Sequence, residues 1–91
     1  MNATSEVLAN DDRVIATKWT MSPDSETGHH THNYDYVVVY LSDGMLTVTS
    51  EAGEIEVPVA KHQLTSRPAG VRHNVMNRTA EPLEFIEIEI K

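Results

Sequence analysis

Short segments rich in β-branched and aromatic residues are the feature that most limits how this chain can fold. They recur along its 91 residues, and Gly, Pro and Asp residues separate them. No window of helical length places apolar residues at the three- and four-residue spacing of an amphipathic helix. The pattern therefore predicts an all-β protein with no substantial helix, built as an antiparallel barrel or sandwich of about seven or eight strands. The predicted strands are residues 13–21, 34–41, 45–50, 53–59, 61–67, 71–77 and 83–91.

The length of the chain suits one small domain with a modest core. Residues 1–10 are polar and aperiodic, which predicts an N-terminal tail or lead-in strand. Residues 11–91 are then predicted to form a single domain. The absence of cysteine excludes disulfide bonds and thiolate metal sites.

Local chemistry predicts the turns between the strands. Residues 42–44 (Ser-Asp-Gly) should form a hairpin turn, because Asp-Gly readily adopts the positive φ angles of a tight reversal. Residues 51–53 should form the tip of a second hairpin, and Pro58 should place its second strand at a sheet edge or a bulge. In the last predicted strand, Leu83 and Phe85 share one parity and the isoleucines share the other. A bulge near Phe85 is therefore predicted.

The net charge is −7, with 14 acidic and 7 basic residues. Nucleic acids and anionic membrane surfaces are recognised by basic surfaces, so we expect neither as a partner. Residues 1–6 lack the basic and apolar regions of a secretory signal. The longest apolar run, residues 36–41, is too short to cross a bilayer. We therefore expect a cytoplasmic protein.

A histidine cluster directly precedes one of the apolar segments. Residues 28–32 (Gly-His-His-Thr-His) hold three of the five histidines. In an extended strand, successive side chains point to opposite faces, so His30 and His32 share a face and His29 points away. Two imidazoles about 7 Å apart on one face can bind a single metal ion if a third ligand faces them. The cluster thus indicates a metal site that needs a ligand from another segment.

A second motif follows in residues 68–77 (Pro-Ala-Gly-Val-Arg-His-Asn-Val-Met-Asn). Its spacing, Pro68-x-Gly70-x-x-His73-x-x-x-Asn77, resembles the second of two motifs found in the cupins. The first cupin motif contains His-x-His and a later glycine, which match His30, His32 and Gly44. With the flanking strands, the resemblance covers nearly the whole chain.

The resemblance implies both a fold and a site. The fold is a cupin-type antiparallel double-sheet β-barrel, which is jelly-roll-like, with residues 11–91 as the one cupin domain. The site is a divalent transition metal held by His30, His32 and His73. Neutral imidazoles bind Fe(II), Mn(II), Ni(II), Zn(II) or Cu(II), and ligand type alone does not choose among these metals.

The chain departs from the cupin pattern at three positions. The first motif places a glutamate three or four residues after His-x-His, and that position falls on Tyr36 or Val37. Asp35 is the nearest acidic residue, so Tyr36 and Asp35 are the candidates for a fourth metal contact or a catalytic role. The glycine expected before each motif is replaced by Asp24 and by His62.

Strand parity separates the two candidates. Tyr36 shares parity with His30 and His32, so it either presents its hydroxyl to a metal or substrate or is a core tyrosine bonded to the backbone. Asp35 faces outward in a regular strand, and inward only if residues 33–35 form a loop.

Three histidine ligands leave coordination positions open, which a metal needs in order to act as a Lewis acid, activate water or bind oxygen. If the protein is an enzyme, the resemblance implies a metal-dependent dioxygenase, isomerase or lyase acting on a small molecule. Arg67 and Arg72 flank the second motif, where they either attract an acidic ligand or only balance the charges of nearby glutamates. The alternatives are a non-catalytic binding or sensor cupin and a structural dimerisation domain.

The apolar strand 34–41 also predicts an assembly. Val37 and Val39 lie on one face and Val38 and Tyr40 on the other, and one small barrel cannot bury both faces. We therefore expect the outer face to meet a second subunit in a homodimer. The candidates to line an interior pocket are Trp19, Val38, Tyr40, Met45, Leu64, Met76 and Phe85.

Overall fold

The segments rich in β-branched residues do form strands, and the strands stack as two antiparallel sheets. A computed structural model describes all residues, 1–91, and contains ten strands and no helix. It therefore contains no helix that could cross a membrane. The strands are β1 (Thr4–Asn10), β2 (Val14–Met21), β3 (Ser25–Glu26), β4 (His30–Thr31), β5 (Asp35–Tyr40), β6 (Gly44–Ser50), β7 (Gly53–Val59), β8 (Leu64–Arg67), β9 (Arg72–Asn77) and β10 (Leu83–Ile90).

The first sheet has the order β1-β2-β10-β5-β8, and the second has the order β3-β9-β6-β7, with β4 also paired to β9. The N-terminal segment forms strand β1 at the edge of the first sheet, where it pairs with β2. Strand β7 is the edge of the second sheet, so Pro58 costs the sheet no ladder hydrogen bond on its open side. The predicted hairpin at residues 51–53 is present, with Ser50 opposite Gly53.

The predicted hairpin turn at residues 42–44 is wrong. Strand β5 belongs to the first sheet and β6 to the second, so this segment crosses between sheets instead of reversing within one. Gly44 does not adopt a positive φ. A Cβ at Gly44 would overlap the side chain of Leu83, so the glycine is required by close packing.

The core lies between the two sheets and draws on both of them. Strand β5 contributes alternate residues to it, and Leu83 and Phe85 enter from β10, so the neighbouring strands of the first sheet build one buried face. The buried apolar residues are Met21, Tyr36, Val38, Tyr40, Leu46, Val59, Val75, Leu83 and Phe85.

The predicted bulge near Phe85 is also wrong. Strand β10 pairs in continuous register with β2 over its whole length and with β5 from Phe85 to Ile90. Its inner face therefore runs from Leu83 and Phe85 to Glu87, while Ile86 and Ile88 point to the outside of the first sheet. A glutamate thus faces the interior of the barrel.

The two positions that lack the expected glycine have an unusual backbone. Asp24 (φ 62°) and His62 (φ 72°) are the non-glycine residues with positive φ. This region favours glycine because a Cβ clashes with the backbone there. Asp24 and His62 therefore adopt, without being glycine, a backbone conformation that favours glycine.

Candidate metal centre

His30 and His73 form a cross-strand pair. Strands β4 and β9 are antiparallel, with His30 directly opposite His73. Side chains of directly opposed residues lie on the same face of a sheet, so the two imidazoles point into the barrel together. Their ring centroids are 4.7 Å apart.

His32 joins the pair from just beyond the end of β4. Its N–H donates to the carbonyl of Val71 at 2.9 Å, and its carbonyl accepts from the N–H of Gly70 at 2.8 Å. The turn of the second motif therefore holds the backbone of the first. The side chain of His32 is buried, with 4% of the residue exposed.

The three imidazoles converge through one nitrogen each. The Nε2 atom of His32 lies 3.0 Å from Nε2 of His30 and 3.2 Å from Nε2 of His73. One ring nitrogen from each of the three histidines falls within 4.8 Å of the others. The sequence-predicted histidines are therefore brought together at one point.

A backbone contact fixes the protonation of one of the three histidines. The Nδ1 atom of His30 lies 2.8 Å from the carbonyl oxygen of Gly28, which can only accept, so Nδ1 carries the proton. The Nε2 lone pair then faces the other two histidines. Gly28 is itself held by its N–H, which donates to Oδ1 of the buried Asn74 at 3.0 Å.

The donor set fits a divalent transition metal. Two nitrogens that each lie about 2.1 Å from one ion and subtend a right angle are about 3.0 Å apart. The measured separations of 3.0 and 3.2 Å match that spacing. Imidazole nitrogens without a carboxylate or thiolate are also ligands that Zn, Cu, Fe and Ni accept.

The site keeps two of its histidines neutral. Burial, reinforced by the neighbouring His30 and His73, lowers the pKa of His32 to about 4. Burial, His30 and the positive charge of Arg67 likewise lower the pKa of His73 to about 4. Only the neutral imidazole has a free lone pair, so both side chains are ready to bind a metal at neutral pH.

Tyr36 lies against the cluster. Its ring stacks on the imidazole of His32, with centroids 3.8 Å apart and planes 19° from parallel. Burial, with a smaller contribution from the charge of Glu87, raises the pKa of Tyr36 to about 12. The phenol therefore stays protonated at neutral pH.

Asp35 lies on the other face of β5. It is exposed, and its Oδ1 atom accepts from the N–H of Ala69 at 2.9 Å. The strand is regular here, so the carboxylate points away from the histidines, toward the turn that precedes β9. We therefore retain Tyr36 and leave Asp35 out of the candidate site.

Glu87 is the acidic residue near the histidines that sequence reasoning missed. Its Oε2 atom lies 3.8 Å from Nε2 of His32, and 13% of its side chain is exposed. Burial, and then the charge of Glu89, raises the pKa of Glu87 to about 7. Glu87 shares strand parity with Leu83 and Phe85, and this parity could have predicted that it points inward. The bulge expected near Phe85 reversed the parity of the later residues and so hid it.

His30 and His73 open onto a cavity of about 250 Å³ between the sheets. Its walls are mostly apolar, and Arg67 is the arginine among them. Of the predicted lining residues, Met45, Leu64 and Met76 do not line it. The lining includes Trp19, Val38, Tyr40 and Phe85 as predicted.

The remaining motif residues support the backbone. Asn77 is fully buried, and its Nδ2 donates to the carbonyl oxygens of Met21 and Glu81 at 2.9 and 2.8 Å. Its Oδ1 accepts from the N–H of Thr79 at 3.0 Å. The motif asparagine therefore fixes the turn that leads into β10.

Three other candidates lie away from the cluster. His29 and His62 are exposed, and strand parity predicted that His29 points away from His30 and His32. Arg72 is exposed too, and its guanidinium lies 3.4 Å from the hydroxyl of Thr31. Arg67 is also exposed, but it lines the cavity and Arg72 does not, so only one of the two flanking arginines faces the site.

Comparison with known proteins gives the family. The family model for the cupin domain matches residues 17–89. The β-alanine degradation protein BauB of Pseudomonas aeruginosa PAO1 is 43% identical over 89 residues, covering 98% of this chain and 94% of BauB. The chain therefore belongs to the cupin family, as its two motifs indicated.

Solved structures agree with the fold. A cupin domain from Bordetella pertussis Tohama I superposes with a TM-score of 0.97 at 38% identity, covering 99% of this chain and 94% of that one. The polyketide cyclase RemF from Streptomyces resistomycificus superposes with a TM-score of 0.80 at 17% identity, covering 98% of this chain and 65% of RemF. The second likeness concerns the fold alone. The all-β, double-sheet prediction is confirmed.

Proposed function

We propose that this protein is a metal-dependent cupin that binds a divalent transition metal through His30, His32 and His73. The convergence of the three Nε2 atoms, with separations of 3.0 and 3.2 Å, carries the proposal. In a metal-free protein, Nε2 of His32 cannot form a good hydrogen bond to both neighbours, because it carries at most one hydrogen and Nε2 of His30 offers only a lone pair. A shared cation turns all three lone pairs into favourable contacts.

The cavity beside the histidines suits a small acidic molecule. Its volume of about 250 Å³ is below that of most ligand pockets, which hold about 300–1,000 Å³. Arg67 can bind a carboxylate through two parallel hydrogen bonds, and the apolar walls exclude water from the rest of the ligand. The bound metal supplies Lewis acidity, and the protonated Tyr36 hydroxyl is positioned as a hydrogen-bond donor.

The name of the relative suggests where to look for a substrate. BauB is called a β-alanine degradation protein, and β-alanine is a short molecule with a carboxylate. We propose that short carboxylic acids, with and without an amino or oxo group, are the substrate class of this chain. The reaction would be of a dioxygenase, isomerase or lyase type.

Metal titration tests the centre. Metal-free protein is dialysed against Fe(II), Mn(II), Ni(II), Zn(II) and Cu(II), and bound metal is measured by elemental analysis. We expect about one equivalent of at least one metal, and a loss of affinity of at least about 100-fold in His73→Ala. His29→Ala is the matched control, because His29 is exposed and outside the cluster. Failure of every metal to bind the wild type would refute the proposal.

Turnover separates an enzyme from a binding protein. Metal-loaded protein is incubated with a set of short acids while substrate loss and oxygen uptake are followed. Turnover that disappears in His73→Ala supports the enzyme. Tight binding without turnover across the set supports the non-catalytic sensor instead.

The outer face of the first sheet supports a homodimer. Ile86 and Ile88 on β10 lie opposite Val39 and Val37 on β5, and the far side of β10 meets Lys18 and Ala16 on β2. These side chains form a largely apolar face on the side of the sheet away from the cavity. We propose that a second copy covers this face, and that the protein works in the cytoplasm.

A further inference from the structure

We propose that Glu87 supplies the carboxylate of the metal centre, from strand β10, in place of the glutamate that the first motif lacks. This role rests on the proposed function, since it requires a metal at the three histidines. It assigns to the centre a residue that lies outside both motifs.

The position of Glu87 follows from register. Strand β10 pairs without interruption, so Glu87 lies directly opposite Val38 of β5 and on the same face. Val38 is buried and lines the cavity, and Glu87 lines it with His30 and His73. The Oε2 atom is 3.8 Å from Nε2 of His32, which is too long for a hydrogen bond but within reach of a shared ion.

The charge of Glu87 has no cationic partner in the protein. No lysine or arginine nitrogen lies within 4.0 Å of its carboxylate, whose one such contact is with His32. The neighbouring Glu84, in contrast, is paired with Lys18 at 3.0 Å. Burying an unpaired carboxylate is costly, and buried charges are normally paired or bound to a metal. A divalent ion on the three imidazoles supplies the missing positive charge.

The arrangement also explains how the centre can lack the motif glutamate. That position falls on β5, where Tyr36 stacks on His32 instead. Strand β10 is the hydrogen-bonded neighbour of β5. A carboxylate from β10 therefore approaches the same histidines from one strand away. The donor set then becomes three neutral nitrogens and one anionic oxygen, which favours binding of a divalent cation over three imidazoles alone.

Substitutions on β10 test this role. Glu87→Gln keeps the size of the side chain and removes its charge, and Glu87→Asp keeps the charge with a shorter reach. Glu84→Gln is the matched control on the same strand, because Glu84 lies on the outer face and pairs with Lys18. The dissociation constant of the metal that the wild type binds best is measured for each protein by competition with a chelating dye.

We expect Glu87→Gln to weaken metal binding by about 10- to 100-fold, Glu87→Asp to weaken it less, and Glu84→Gln to leave it within about twofold. Thermal melting gives a second measurement, in which the substitution should not lower the stability of the metal-free protein although it weakens metal binding. The metal-free Glu87→Gln protein should melt at the same or a higher temperature than the wild type, because the unpaired buried charge is gone. The increase in melting temperature on adding metal should be smaller for Glu87→Gln than for the wild type.

Two outcomes would overturn the role, and they differ. Equal metal affinity in wild type and Glu87→Gln would overturn it while leaving the three-histidine centre intact. Absence of metal binding by the wild type would overturn the centre and, with it, the role of Glu87.

Discussion

The imidazole of His32 lies flat against the ring of Tyr36, with the two centroids 3.8 Å apart. Tyr36 is one of the two residues, with Val37, on which the glutamate position of the first cupin motif falls. Tyr36 is 2% exposed, so the contact is buried and fixes the plane of the imidazole. At this point of β5 the inward-facing side chain is therefore a ring that packs on a histidine, and it carries no carboxylate.

The stacking contact separates two roles of Tyr36. Tyr36→Phe keeps the ring, so we expect metal affinity within about twofold of the wild type, since the ring alone orients His32. If the hydroxyl donates a hydrogen bond to the substrate, kcat falls by about 10-fold or more at unchanged metal content. Metal titration and steady-state kinetics on the same sample measure both. A large loss of metal in Tyr36→Phe would instead make the hydroxyl a ligand.

The metal-free protein should lose stability in mild acid. His32 and His73 have pKa values of about 4 in the fold, against 6.5 in the unfolded chain. Below pH 6.5 the unfolded chain therefore binds two protons that the fold does not, and the free energy of unfolding falls as the pH falls. Glu87, with a pKa of about 7 in the fold against 4.5 unfolded, offsets one of them because here the fold binds the extra proton.

The unfolded chain then binds about one proton more than the fold does. The free energy of unfolding therefore falls by about 1.4 kcal/mol for each pH unit between pH 6.5 and 4.5. Urea unfolding of metal-free protein at several pH values measures it. Glu87→Gln removes the group whose proton uptake in the fold opposes this trend. The free energy of unfolding of that variant should therefore fall about twice as steeply with pH over the same range. A free energy of unfolding that is the same at pH 6.5 and pH 4.5 would contradict the burial of the two histidines.

Glycine at position 62 should stabilise the protein. His62 has a φ of 72°, which costs a non-glycine residue about 1–2 kcal/mol, and the flexibility of glycine in the unfolded chain returns about half of that. We expect His62→Gly to raise the free energy of unfolding by about 0.5–1 kcal/mol, and Asp24→Gly to raise it less, because aspartate tolerates this region better.

Thermal or urea unfolding detects a change of this size, which corresponds to a few degrees in Tm. His29→Gly is the control, because His29 is also exposed but has no positive φ, and it should not gain stability. A loss of stability in His62→Gly would mean that the histidine side chain stabilises the fold by more than the positive φ destabilises it.

The outer face of the first sheet predicts the oligomeric state. Ile88 lies at its centre, between Ala16 of β2 and Val37 of β5. We expect a mass of twice the chain in solution, and a monomer for Ile88→Glu, because a buried unpaired charge cannot be accommodated at an interface. Light scattering after gel filtration measures both. Ile55→Glu, an exposed position on β7 of the other sheet, should leave the dimer intact. A monomeric wild type would refute the prediction.

The sequence was sufficient to predict the positions of site residues where a rule of strand parity or motif spacing applied. Alternation along a strand placed His30 and His32 together and Asp35 outside, and the spacing of the second motif identified His73.

Sequence reasoning failed where long-range pairing decides the outcome. Ser-Asp-Gly at residues 42–44 has the composition of a hairpin turn, but local chemistry cannot distinguish a reversal from a crossing between sheets. The outer face of β10 is more apolar than the inner face beyond Phe85, so the pattern suggested a bulge that is absent. Glu87 was missed for the same reason, because its inward direction depends on pairing with β5 and β2.

The pairing of strands distant in sequence has a consequence for how the protein folds. Strand β2 pairs with β10, and His30 reaches its place opposite His73 only when β4 meets β9. Long loops must close before these contacts form, so folding should take milliseconds to seconds. We expect the histidines to come together late, after the rate-limiting step. A cation should leave the refolding rate unchanged and slow the unfolding rate, so that metal-loaded molecules persist longer in their native state.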